Sequence, residues 1–354
     1  MVYVIPSDPL LRLAFYSGLT VSSITLLLIL VIAALRYAID RRNCRLQALR
    51  TLWQPVFSHA LEGAPFKPPR IRTREQETIL LLWINFVESV RGQARQNLQQ
   101  LGVELQFDRI AQRLLKRRTI RPQMIAMATL GRLASTPHFP ELALRADDAN
   151  SMLSLLAVRS LLQIDPRRGV PIVLRRLEQR DDWPLIKVAA MLREVPADIL
   201  ATHLSTALST VSPSAAPRLI GLVNVSHIGD TWPMLSPFLA TGQPSETMAA
   251  ALKMCHDPRA LDAVRMLAAH EDWVVRAQAA ATLGRIGLDS DRLRLQAMLS
   301  DPQWWVRYRA ATALANLPGM TREKILELGA RLDDRFAADM LTQALAETEE
   351  SRSS

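Results

Sequence analysis

The feature that most restricts what this chain can fold into is a leucine that returns every 30 or 31 residues: Leu130, Leu161, Leu192, Leu222, Leu252, Leu283, Leu314 and Leu345. Self-similarity at a fixed period of that size marks a solenoid of stacked supersecondary units. The neighbours of the marker keep its phase. Three residues after it stand Leu133, Ile164, Val195, Val225, Cys255, Ile286 and Leu317. Four residues before it stand Ala126, Ala157, Val188, Met248, Ala279, Ala310 and Leu341. Positions −4, 0 and +3 share one face of an α-helix, so each repeat is expected to bury one apolar stripe. The pattern lapses at Arg218, four before Leu222, and at Thr348, three after Leu345, which reads as degeneracy of a central and the terminal repeat.

The two best copies are EDWVVRAQAAATLGRIG (271–287) and DPQWWVRYRAATALANLP (301–318). Val275-Arg276 falls on Val306-Arg307, and Ala279-Ala280 on Ala310-Ala311, at a constant offset of 31. A second helical stretch precedes each marked one, as in VPIVLRRLEQ (170–179), DILATHLSTAL (198–208), ALDAVRMLAAH (260–270), DRLRLQAMLS (291–300) and REKILELGARL (322–332). The unit is therefore helix A, a turn, then helix B. Asp272 and Asp301 are expected to cap helix B, where a carboxylate accepts backbone N–H bonds. Pro302 suits a first helical position, and Gly287 and Pro318 suit helix ends. Ala, Leu and Arg dominate the chain, and no Gly-bounded, β-branched alternating run argues for strands. A unit of about 30 residues cannot bury its own apolar face, so stability must come from stacking.

The pattern D-x-x-V-R-x-x-A-A-x-x-L-G-x-I, carried by Asp272, Val275, Arg276, Ala279, Ala280, Leu283, Gly284 and Ile286, resembles the HEAT-repeat family. The likeness is to its short form of about 31 residues, found in bilin-lyase-like proteins. It extends over about residues 105–350, and neither the T-P-L-H signature of ankyrin repeats nor the tetratricopeptide pattern is present. The resemblance implies an α-solenoid offering an extended surface to a partner protein. It also implies that the helix-B arginines, Arg276 and Arg307, bond to acidic or carbonyl groups of the adjacent repeat.

One segment stands outside the repeats. Residues 13–35, LAFYSGLTVSSITLLLILVIAAL, carry no charge. At about 1.5 Å per residue this run spans a hydrocarbon core of about 30 Å. A signal peptide has a shorter apolar core, a basic start and an A-x-A-like site; here only Arg12 precedes the run. A transmembrane helix over 13–38 is expected. Arg36, Arg41, Arg42, Arg45 and Arg50 follow it against Asp40 alone, whereas Arg12 is balanced by Asp8. By the positive-inside rule, residues 1–12 then lie outside and the solenoid lies in the cytoplasm, at the inner membrane. Residues 39–72 read as a basic juxtamembrane segment ending in the Pro-rich linker GAPFKPPRIR (63–72). Residues 73–104 read as an amphipathic capping helix with Trp83 and Phe86 on its apolar front, 105–348 as the solenoid, and 349–354 as a disordered tail. The fold class expected is all-α: a solenoid of HEAT-like helical hairpins behind a single N-terminal transmembrane helix.

Chemistry is sparse. The net charge of +9 is almost entirely arginine, interleaved with acids along the chain, which argues against a nucleic-acid surface. Cys44 and Cys255 are too far apart in sequence for a disulfide framework or zinc site. The histidines, His59, His138, His203, His227, His256 and His270, lack metal-ligand spacing. The HEAT-type deoxyhypusine hydroxylases bind two irons through repeated His-Glu pairs, and here there is one pair, His270-Glu271. There is no P-loop, G-x-G-x-x-G or G-x-S-x-G. The pairs Asp147-Asp148, Asp181-Asp182 and Asp333-Asp334 fall where turns are expected and read as solvated caps. No catalytic residue, cofactor or metal is assigned, and the chain is not expected to be an enzyme.

Tryptophans recur near the start of helix B, at Trp183, Trp273, Trp304 and Trp305. They read either as packing between repeats or as a recognition surface. By helical geometry Gln278 and Arg285 face away from the apolar stripe, as do Arg309 and, in the first repeat, Arg132. With Trp304 these four are the candidate partner contacts. The function expected is a membrane-anchored cytoplasmic scaffold holding a partner protein, such as an envelope or polysaccharide-synthesis enzyme. The alternatives are a bilin-lyase-like enzyme or small-ligand binder, and a nucleic-acid-binding HEAT-like protein.

Overall fold

The computed structural model describes residues 9–63, 68–225, 229–332 and 334–353. Residues 1–8 of the expected external segment, Lys67 and the middle of the linker, His227, Asp333 and Ser354 lie outside the described residues, as do the side chains of Arg12, Arg42 and Arg45. All regular structure described is helical, as the composition requires. The chain divides into two compact units, Met1–Leu133 and Ala134–Ser354.

The first unit opens on α1, Pro9–Glu62, a single helix of 54 residues and so about 81 Å long. Its stretch Phe15–Tyr37 is long and apolar enough to cross a membrane, and none of that window is buried. Within it, Thr20, Ser23 and Thr25 donate their hydroxyls to the carbonyls of Ser17, Leu19 and Val21, so each polar atom is satisfied inside the helix. The expected change from span to juxtamembrane segment is not a structural boundary: the helix continues through 39–62. Its far end carries Trp53, Val56, Phe57 and Ala60, all buried. Phe57 sits 5.1 Å from Phe86, ring centre to ring centre.

The expected capping helix over 73–104 is two helices, α2 (Gln76–Ser89) and α3 (Gln93–Glu104). The break lies at Gly92, whose φ of 62° is open to glycine and strained for other residues. Trp83 of α2 is fully buried and donates its Nε1–H to the Leu98 carbonyl of α3 at 2.8 Å, which closes the hairpin. The helices α4 (Phe107–Leu115) and α5 (Ile120–Arg132) complete this unit, and α2 packs on α5.

The second unit holds seven further A/B pairs. They are α6 (Phe139–Arg145) with α7 (Ser151–Ile164), α8 (Pro166–Gln179) with α9 (Leu185–Leu192), and α10 (Ala197–Thr210) with α11 (Ala216–Ile220). Next come α12 (Trp232–Leu235) with α13 (Ser245–Met254), and α14 (Leu261–Leu267) with α15 (Trp273–Ile286). The last are α16 (Arg292–Met298) with α17 (Trp304–Asn316), and α18 (Arg322–Ala330) with α19 (Arg335–Ser353). Helix α19 runs to Ser353, through the residues expected to form a tail.

The leucine register is the core. Leu130, Leu161, Leu192, Leu222, Leu252, Leu283 and Leu314 are 0% exposed and Leu345 is 8% exposed. The lapses have local solutions. Arg218 turns out of the core to bond Asp181 at 2.7 Å and the Trp183 carbonyl at 2.9 Å. Thr348 stays buried by donating its hydroxyl to the Ala344 carbonyl one turn back. The glycine of the motif has a packing reason. A Cβ on Gly284 would lie 2.8 Å from the Ala313 Cα of α17, so only glycine lets α15 and α17 approach this closely.

Candidate partner-binding surface

Several charged side chains cap helix termini or pair between helices. Asp272 accepts the Val274 N–H at 2.9 Å, as expected of an N-cap. That bond, with one from Ser245, holds its carboxyl below the usual range. Asp301 is displaced from the expected place: Gln303 is the N-cap of α17, and Pro302 stands before the helix rather than at its first position. Asp301 still accepts the Gln303 N–H at 2.8 Å. Its main partner is Arg276 of α15, a two-pronged pair at 2.7 and 3.0 Å. Burial pushes the Asp301 carboxyl up, but Arg276 and the Gln303 N–H outweigh it and hold the group below its ordinary value. Arg276 also donates to the carbonyls of His270 and Glu271, each at 2.8 Å. Such fork-to-carboxylate pairs are among the stronger hydrogen bonds in proteins.

The same device repeats between other helices. Arg307 bonds the Asp301 carbonyl at 2.5 Å and the Asp334 carboxylate at 3.2 Å. Arg265 of α14 takes both oxygens of the buried Asp291 at 2.7 and 3.1 Å. Arg176 reaches Asp147 at 2.7 Å, and Arg180 reaches the Asp148 carbonyl at 2.8 Å. Arg259 pairs with Asp230. In the Asp pairs of the turns, Asp147, Asp181 and Asp182 stay open to water as expected, and arginines pair with them there. One aspartate of each pair, Asp147, Asp181 or Asp334, receives an arginine from 27 to 37 residues away. Sequence reasoning placed Arg276 and Arg307 in such a role but gave no sign of Arg265, Arg176 or Arg259.

The five candidate contacts separate. Arg132 does not belong to a binding surface. It is 4% exposed, is ion-paired with Glu88, and donates to the Ala128 carbonyl at 3.1 Å. Helical geometry put it opposite the leucine stripe, but α2 covers that side. Arg285 is exposed, and its Nη2 bonds the Leu252 carbonyl at 2.8 Å, completing the C-terminal end of α13. Gln278 is half-buried. Arg309 is exposed and carries no hydrogen bond or ion pair among the described residues. Trp304 is half exposed, stacks on Tyr308 with planes 2° apart, and meets Trp305 edge-on. Tyr308 donates its hydroxyl to Glu347 of α19 at 2.7 Å.

The four tryptophans divide by burial and not by register, since Trp183 and Trp305 both stand nine residues before their marker leucines. Trp183 stands nine residues before its marker leucine, in the turn ahead of α9, and is buried with its Nε1–H on the Ser154 hydroxyl at 2.9 Å. Trp273 and Trp304 stand ten before theirs, at the first position of α15 and α17, and are exposed. The next residue, nine before the marker, is also exposed and apolar in the last three repeats: Val274 at 40%, Trp305 at 51% and Phe336 at 72%.

A cavity of about 430 Å³ opens beside α10, lined by Leu208, Pro213, Pro233, Met234 and Phe238 with Ser205, Ser209 and Gln243. Its wall has no ionisable side chain. Among the described residues no three His, Cys, Asp or Glu side chains converge as a metal site.

Residues 244–315, from the start of α13 through α17, match the family of HEAT repeats. A solved crystal structure of an engineered protein is similar at 15% identity, over 78% of this chain and 86% of that one, with a TM-score of 0.32. No curated protein matches the chain.

Proposed function

We propose that this chain, whose residues 244–315 match HEAT repeats, is a non-catalytic scaffold tethered to the cytoplasmic face of the inner membrane by the N-terminal part of α1. HEAT repeats are a fold typical of protein-binding scaffolds, and stacked repeats present extended surfaces. The observation that carries the reading is how charge is divided in the best-matched repeats. Arg265, Arg276 and Arg307 are occupied in joining helices, while the exposed sides of α15 and α17 keep Trp304, Trp305 and Arg309 for something outside the chain. The tether rests on Phe15–Tyr37, apolar and unburied, and the orientation rests on Arg36, Arg41 and Arg50 following it.

Two measurements test this. Full-length protein should stay with the membrane after alkaline extraction, with its N-terminus intact; a soluble product beginning after about residue 37 would identify a cleaved leader instead. Purification from detergent-solubilised membranes should bring down one protein in stoichiometric amount. Copurified nucleic acid, or a bound chromophore, would replace the scaffold reading.

A further inference from the structure

A cleft of about 760 Å³ opens within the first unit, between the end of the Pro-rich linker, the start of α2 and the turn from α3 to α4. That volume lies in the range of small-molecule sites, about 300–1,000 Å³. Two helices begin on it. Gln76 is the first residue of α2 and Gln106 is the N-cap of α4, and both line the cleft. Neither start has a side chain capping its free N–H groups. Gln106 holds a φ of 55°, in the left-handed region, where it turns the chain into α4. Unsatisfied donors and about half a positive charge at each helix start suit an anion. Gln76 sets this pair of helix starts apart. It is 7% exposed, yet its side-chain amide has no hydrogen-bond partner among the described residues. Every other buried polar or charged side chain described makes at least one such bond, from Gln123 to Thr348. Buried polar groups are rarely left unpaired, and the cleft it lines is where a partner can reach it.

The charge of the cleft agrees. Arg109 and Arg113 stand one turn apart on α4, and both are exposed and line it. Neither makes an ion pair among the described residues, and Arg109 reaches only the Gln106 side chain, at 3.3 Å. Like charges one turn apart repel. In the second unit the comparable arginines, such as Arg265 and Arg276, are held by aspartates. Glu104 is the one acidic residue of the lining, which is therefore net positive before the helix starts are counted. A carboxylate ligand brings one charge and two oxygens, whereas a phosphate monoester brings about two charges and three acceptor oxygens. The second matches two guanidiniums and two helix starts. A phosphodiester, in a nucleic-acid backbone or a phosphatidylglycerol headgroup, has again one charge per group. Glu104 can only accept, so it selects a ligand that also carries a donor such as a hydroxyl.

We infer that this cleft binds a small phosphate monoester that carries hydroxyl groups. Its phosphate lies on Arg109, Arg113 and the starts of α2 and α4, the Gln76 amide donates to a ligand oxygen, and a ligand hydroxyl donates to Glu104. The site lies in the first unit and is independent of the scaffold reading, whose surface is in the second.

Equilibrium dialysis of the detergent-solubilised full-length protein against radiolabelled glycerol phosphate tests this. Saturable binding at one site per chain is expected. Arg109→Gln and Arg113→Gln change exposed side chains that hold no ion pair, so the fold should survive them, and each should weaken binding about tenfold. Arg167→Gln, exposed on α8, should leave it unchanged. Gln76→Glu, which adds a carboxylate to the cleft, should abolish it. Inorganic phosphate should compete more weakly than glycerol phosphate, and Glu104→Gln should narrow that difference. The inference is overturned by absence of saturable binding, by full binding in both arginine variants, or by equal affinity of the wild-type protein for inorganic phosphate. Displacement of the label by an oligonucleotide or by phosphatidylglycerol vesicles at a lower phosphate concentration than by glycerol phosphate itself also overturns it, since a diester would then be the better ligand.

Discussion

The repeat built from α16 and α17 and the repeat built from α10 and α11 carry the same leucine marker but solve the same packing problem differently. In the first, helix B has 13 residues, its leucine Leu314 lies in the last turn of the helix, and α15 packs along it closely enough to require Gly284. In the second, helix B shrinks to five residues and Leu222 falls in the turn beyond it, yet Leu222 is as completely buried as Leu314. What a repeat must preserve is the buried side chain in phase, since apolar burial is what stacking supplies. The helix that presents it can be eroded. The charged joints follow suit. Between α15 and Asp301 the fork is two-pronged and shielded, whereas Arg218 meets an Asp181 fully open to water.

The comparison is broken most directly at the leucines. Leu283→Ala removes a side chain enclosed by rigid helices and should destabilise by about 2–5 kcal/mol. Leu222→Ala should fall at the low end of that range, because a turn can close around the gap. Urea denaturation of the second unit's signal in the full-length protein measures both; equal losses would mean that helix length is irrelevant to how the core relaxes.

Breaking a shielded joint comes next. Asp301→Ala strips Arg276 of its carboxylate and should cost about 1.5–3 kcal/mol. Asp181→Asn, at the open joint, should leave the denaturation midpoint where it is, since exposed pairs contribute little. A measurable loss there would show that the degenerate repeat depends on its arginine as the regular one does.

Gly284→Ala sets two effects against each other. Helix propensity favours alanine by about 1 kcal/mol. The new Cβ, 2.8 Å from the backbone of α17, forces the helices apart at about 1–3 kcal/mol. A net loss of thermal stability is expected, and a gain would mean that α15 and α17 are farther apart than described.

The smallest effect is in pH. Asp301 and Asp291 both titrate below the ordinary carboxylate range in the folded chain, despite burial that pushes them up. Such groups add stability that is complete above the unfolded carboxylate value of about 4 and is lost as pH falls through the depressed folded values. The denaturation midpoint should be level from about pH 7 to 5 and drop below about 4. Asp301→Asn should make that drop shallower; an unchanged acid slope would mean the pair is open to water.

Much of the fold was legible because helical burial is periodic. A stripe at −4, 0 and +3 identifies the buried face without reference to any neighbour, which is why all eight leucines and the cap at Asp272 fell where expected. Breaks in helices were less legible. Gly92 splits 73–104, and nothing marks the end of the span inside α1, because apolar and polar stretches can share one uninterrupted helix.

The candidate surface was legible only in part. Arg309 and Arg285 were found by geometry within one helix and Trp304 by its recurrence, and the geometric reasoning misplaced Arg132, since a helix from elsewhere in the chain covers it. The Asp-Trp pairs at 182–183 and 272–273 look alike, yet Trp183 is buried on Ser154 of the preceding repeat and Trp273 stands in solvent.

By itself the sequence determined the repeat, its helical face and the apolar span, since these depend on spacing along one chain segment. Only the tertiary structure decided which arginine meets which aspartate and which face of each helix stays open. Those choices depend on distances between side chains about 25 to 37 residues apart, and those distances are set when neighbouring helices stack.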